Sequence, residues 1–129
     1  MLLDTTFLID AEGGAGSMDD LIADDDDTAI AAVTVAELLV GVWLATGKRR
    51  AARQAFADAV VSTVPTIAYD VRVARAHAQL LAAARRSGRP RGAHDLIIAA
   101  TAIASGRTVV TADPASFEGL PGVELLRHR

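Results

Sequence analysis

The chain has 129 residues, 51% hydrophobic but only 4% aromatic, with a net charge of −3 and no cysteine. That length fits a single domain, residues 1–129, able to bury roughly two-thirds of its unfolded surface, and the missing cysteines exclude a disulfide framework and a thiolate zinc site. The longest apolar stretch, Leu96 to Ala104, falls far short of the roughly 20 residues a membrane-spanning helix needs; the apolar start has no basic segment before it and meets Asp4 early, against a signal peptide, so a cytoplasmic protein with no membrane partner is expected.

In chain order, Met1-Leu2-Leu3 reads as a strand ending at Asp4, and Thr5 to Ala11 as a short helix broken by Gly13-Gly14-Ala15-Gly16. Ser17 can cap a second helix through Ala23, and Asp24-Asp25-Asp26-Asp27 reads as a solvated loop, without the glycine and distant glutamate of a calcium loop. Ile30 to Val33 is a strand, Thr34 opens a helix towards Thr46 with Gly47 as its stop, and Lys48 to Val61 is a helix with Ala52, Ala55, Phe56, Ala59 and Val60 at helical spacing. Val64 to Ala68 is a short strand. Asp70 caps a long helix, Val71 to Arg86, whose apolar face carries Val73, Ala74, His77, Leu80, Leu81 and Ala84. A basic connection, Ser87 to Gly92, leads to an apolar helix from Ala93 to Ser105 closed by Gly106. Thr108 to Thr111 is a strand, Asp113-Pro114 starts a turn of helix, and Val123 to Leu126 is a last edge strand. Trp43 is most simply a core residue, His77 a satisfied residue at the core edge. Strands alternating with helices predict an α/β fold, three layers with a central, mostly parallel sheet of four to five strands.

Four acids stand where helices begin: Asp4, Glu37, Asp95 and Asp113. In a parallel α/β sheet the strand-to-helix junctions gather on one edge, where such folds bind ligands. Carboxylates gathered there repel one another, by about 4 kcal/mol for each pair at 4 Å and an effective dielectric near 20. A divalent cation removes that penalty, so the pattern points to metal chemistry. Each acid has a plainer reading. Asp4 caps the helix at Thr5; Glu37 closes a capping box with Thr34; Asp95 favours a helix dipole; Asp113 caps a turn with proline first inside it. Capping and coordination are compatible, since a carboxylate held by backbone amides is rigid.

The charge is also segregated. Residues 1–47 carry ten acids and no Lys or Arg, whereas residues 48–91 carry ten bases against Asp58 and Asp70. A basic stretch beside an acidic site suits a polyanionic substrate, the plainer reading being two solvated helix faces. Arg85, Arg86, Arg89 and Arg91 flank the approach to Asp95 and are the candidates for contacts to the phosphates of such a substrate. The glycines at 13–16 do not form a dinucleotide-binding turn, and Gly47-Lys48-Arg49 lacks the hydroxyl residue of a phosphate-binding loop.

Four segments together resemble the PIN domain: Met1 to Ile9, Thr34-Val35-Ala36-Glu37-Leu38, Gly92 to Ala100 and Thr111 to Phe117. In particular they resemble the VapC-type toxins of bacterial toxin–antitoxin pairs, with T-x-D-x-x-x-F at Thr111, Asp113 and Phe117 closing the pattern. The resemblance implies an endoribonuclease in which Asp4, Glu37, Asp95 and Asp113 hold one or two Mg²⁺ or Mn²⁺ ions and a metal-activated water attacks the phosphodiester. Thr5 and Thr111 are placed to hydrogen-bond those carboxylates. Asp113 matches the most variable of the family's acids and assists or ligates. The resemblance also implies a homodimer and a cognate antitoxin that covers the acidic groove. The alternative from another class is a PIN-like domain that binds RNA or protein without cutting.

Overall fold

A computed structural model describes residues 1–13 and 27–127. The helix expected from Ser17 to Ala23 and Asp24 to Asp26 lie outside them. The elements are β1 (Leu2–Leu3), α1 (Thr5–Glu12), β2 (Ile30–Ala31), α2 (Ala32–Leu44), α3 (Gly47–Thr63), β3 (Thr66–Ile67), α4 (Val71–Ser87), α5 (Ala93–Ser105), β4 (Val109–Thr111) and β5 (Leu125–Arg127), with a 3₁₀ turn at Pro114–Ser116.

Every strand pairing is parallel. Leu2 and Leu3 lie beside Val109 and Val110, Val109 to Thr111 beside Leu125 to Arg127, and Ile30 and Ala31 beside Thr66 and Ile67. A bridge between Leu2 and Ala29 joins the two ladders, so the strand order is β3-β2-β1-β4-β5. Alternation along these short strands creates the layers. Leu2, Ala29, Ala31 and Val109 face one core with Val73, Leu80, Leu96 and Ile98 of α4 and α5. Leu3, Ile30 and Val110 face the other with Phe7, Leu8, Leu38, Ala57 and Val60 of α1, α2 and α3. This is the expected three-layer α/β fold, with the sheet at its five-stranded, fully parallel limit.

Helix ends follow their sequences. Asp70 accepts from the Val73 amide at 3.1 Å and caps α4, and Gly88 and Gly106 close α4 and α5 in the left-handed region at φ 68° and 67°. Two expectations about helix ends are corrected. Helix α2 begins at Ala32, so Thr34 lies inside its first turn and caps nothing; Gly47 is the first residue of α3, not a stop; and Arg50 completes the end of α2 instead, donating to the carbonyls of Val42, Trp43 and Ala45. The buried face of α3 is Ala57 and Val60 with Phe56 beside them, while Ala52, Ala55 and Ala59 face solvent. Trp43 is 73% exposed and packs against the Arg50 guanidinium, so it is not core. No helix among the described residues is long and apolar enough to cross a membrane.

Candidate active site

Because the sheet is parallel, the ends of β1, β2 and β4 open on one edge. Asp4 follows β1 directly, Glu37 lies one turn inside α2, which leaves β2 without a loop, and Asp113 lies two residues beyond β4. Asp95 arrives separately, in the first turn of α5. Buried Leu3 and Val110 anchor the strands that carry Asp4 and Asp113; Leu38, buried beside Glu37, and Leu96, beside Asp95, do the same for the helices.

Asp4 is almost fully buried and is the hub. Its Oδ1 accepts from the Thr5 amide at 2.7 Å, and its Oδ2 accepts from the hydroxyls of Thr6 at 2.8 Å and Thr111 at 2.7 Å. Those hydroxyls accept in turn, Thr6 from the Ala112 amide and Thr111 from the Asp113 amide. The loop carrying Asp113 is therefore fixed to Thr6, two residues after Asp4, and to the end of β4. Glu37 is held from two sides, Oε1 accepting from the Thr5 hydroxyl at 2.7 Å and Oε2 lying 3.4 Å from His94 Nδ1. It does not form the capping box read from Thr34, because the helix begins too early for Thr34 to be the cap; Ala31 holds that place with no side-chain bond. Asp113 does not cap the 3₁₀ turn through a backbone amide either. Its Oδ2 accepts from Ser116 Oγ at 2.6 Å.

Asp95 shows that the four acids share one field. Its carboxyl is pushed up from 3.8 to about 6, first by burial and then by the charges of Asp4, Glu37 and Asp113, against a smaller opposing pull from His94. Among the described residues no donor is bonded to this carboxylate. Carboxylates from three other stretches of chain thus act on Asp95 at this edge of the sheet.

The arginines expected at RNA divide. Arg85, Arg86 and Arg89 are exposed. Arg91 is half-buried and donates to the backbone carbonyls of Ser116 and Glu118, tying the approach to Asp95 to the loop after Asp113. Arg85, Arg89 and Arg91 rim a cavity of about 320 Å³ whose walls include Leu81, Ala84, Pro90 and Leu96. A second cavity, about 130 Å³, lies beside Glu37 between α1, α2 and α3, lined by Ile9, Leu38, Gly41, Arg53 and Phe56. Sequence reasoning passed over Thr6, Ser116 and the His94–Glu37 contact. The Asp-Thr-Thr run was the available signal for Thr6, since a hydroxyl two residues after a cap can turn back to it.

The PIN domain family model matches residues 1–122. The chain belongs to the PIN domain family. Ribonuclease VapC5 of Mycobacterium tuberculosis is 37% identical to this PIN domain over 129 residues, covering 98% of this chain and 93% of that protein. Among solved structures, VapBC2 from Rickettsia felis bound to a promoter DNA fragment superposes with a TM-score of 0.88 at 25% identity, covering 99% of this chain and 98% of that one. VapBC-5 from M. tuberculosis, a member of the VapBC family of toxin–antitoxin systems, does so with a TM-score of 0.80 at 34% identity, covering 98% and 97%.

The donor set suits a hard cation, since the acids that share the field offer only oxygen. As placed, no three acidic or histidine side chains among the described residues form a ready-made cage.

Proposed function

We propose that this PIN domain is a Mg²⁺-dependent endoribonuclease, the toxin of a toxin–antitoxin pair, acting in the cytoplasm and inhibited by a cognate antitoxin. The observation that carries the reading is the Asp95 carboxyl, raised to about 6 by burial and by three neighbouring acids and given no donor by the described residues. A site built only to be folded would neutralise such a group or pair it. The naming of curated relatives as ribonucleases supports RNA as substrate, and their VapBC complexes support an antitoxin as partner.

Asp4, Glu37, Asp95 and Asp113 are the residues that would hold Mg²⁺, with Mn²⁺ as a substitute. Bound there, the ion would supply charge neutralisation at the phosphodiester and a lowered pKa for water. The chain's own contribution is orientation. Thr6 and Thr111 fix the Asp4 carboxylate, Thr5 and His94 hold Glu37, and Ser116 turns Asp113. Fixed carboxylates lose little freedom when they meet an ion, which is where supporting hydrogen bonds act on affinity. Exposed Arg85, Arg86 and Arg89 offer charge to an RNA backbone. The cavity beside Glu37, with Arg53 in its wall, is where an antitoxin segment would reach Glu37.

The test is cleavage of total cellular RNA by antitoxin-free protein, followed by mapping of the new 5′ ends. Cleavage at discrete sites with Mg²⁺, none with chelator and none with Asp4→Asn is the expected result. Cleavage that persists in chelator, or equal activity of the variant, contradicts the reading.

A further inference from the structure

Gly92 precedes α5 and serves as its N-cap with no side-chain bond. Its backbone does not require glycine, because φ −62° and ψ 134° are open to any residue. Helix starts favour Ser, Thr, Asp or Asn, whose side chains satisfy a free amide of the first turn. The reason for glycine is therefore the space beside it. A Cβ built at residue 92 would stand 2.6 Å from Asp95 Oδ2 and 3.3 Å from Asp95 Cγ. Asp95 occupies the third helical position, from which an acid turns back over the residue before the helix, and its carboxylate takes the volume a side chain at residue 92 would fill. Oδ2 can leave only by turning the carboxylate about its Cβ–Cγ bond or by moving the side chain as a whole, and Cγ is itself approached closely, so any side chain at 92 would turn or displace the carboxylate.

We propose that Gly92 is a positioning residue of the acidic site, its missing side chain setting where the Asp95 carboxylate stands. The inference rests on the reading of that site as a divalent-cation site. It separates two effects that usually travel together. Gly92→Ser restores a favoured cap and so maintains or raises stability, yet it introduces the Cβ that displaces Asp95.

The experiment measures melting temperature and Mn²⁺ affinity for the wild type, Gly92→Ala and Gly92→Ser, with a crystal structure of the metal-free Ser variant. The expected result is a melting temperature held or raised by Ser, Mn²⁺ binding about tenfold weaker or worse in both variants, and an Asp95 carboxylate turned from its wild-type place. In an Asp95→Ala background, Gly92→Ala changes Mn²⁺ affinity no further. Unchanged Mn²⁺ affinity in both variants overturns the proposal, as does an equal loss in the Asp95→Ala background. A wild type that binds no Mn²⁺ counts against the cation site itself; an unmoved Asp95 carboxylate in the Ser variant then overturns the Gly92 proposal independently.

Discussion

Asp4 and Asp95 stand on the same edge of the sheet, and the fold treats them in opposite ways. Asp4 is almost fully buried and receives an amide and two hydroxyl protons. Asp95 is less buried and receives none from the described residues, and its carboxyl is raised to about 6. The Asp95 shift comes first from burial and then from the charges of the other three acids. The chain meets the need of one carboxylate with its own hydroxyls, while the other has no donor among the described residues. One acid is part of the framework that holds the site together, and the other is its unsatisfied part.

That contrast breaks most visibly in catalysis. Asp4→Asn and Asp95→Asn should each lower RNA cleavage by more than the roughly 10–100-fold typical of losing a supporting partner, measured as initial rate under saturating Mg²⁺. Stability should then separate them. Asp4→Ala strands buried donors and should cost on the order of 2–3 kcal/mol, whereas Asp95→Asn removes a repelled charge and should add on the order of 1 kcal/mol once solvent screening is allowed for; urea unfolding in chelator reads both. Thr111→Val removes the donor to Asp4 and the acceptor for the Asp113 amide, and should weaken Mn²⁺ binding about tenfold or more with a stability cost of about 1–2 kcal/mol.

The pH profile sharpens the same contrast. A carboxyl whose folded value is raised from 3.8 to about 6 keeps its proton longer in the folded state than in the unfolded chain. Its contribution to stability is therefore fully present below about 4 and is lost as pH rises through about 6. Metal-free wild type should lose stability across that window, and Asp95→Asn should flatten that part of the curve. The smallest effect belongs to Trp43→Ala. At 73% exposure this change should shift unfolding by only about 0.5 kcal/mol, a result a core tryptophan would not give.

Much of this was legible in the chain. The acids at the heads of helices could be read because a parallel sheet fixes which ends of its strands meet, and the T-x-D-x-x-x-F run placed Thr111 and Asp113 together with buried Phe117. Less legible was anything that depends on the residue at which a helix starts. The boundary of α2 differs by two residues from the expectation, and that shift turned Glu37 from a capping partner of Thr34 into an acceptor from Thr5, which lies 32 positions away in sequence. In alanine-rich α3 several registers offer an apolar stripe, and only packing against Leu3, Phe7 and Ile30 selects Ala57 and Val60. Arg91 was read as an RNA contact from its charge, but charge does not reveal that its guanidinium is spent on the carbonyls of Ser116 and Glu118.

On the proposed reading, Asp95 is kept for a cation. The direct measurement is the melting temperature of wild type and Asp95→Asn at neutral pH, in chelator and in Mn²⁺. The variant should melt higher than wild type in chelator and gain much less from Mn²⁺. Equal gains in both proteins, or a wild type that already outlasts the variant without metal, would contradict it.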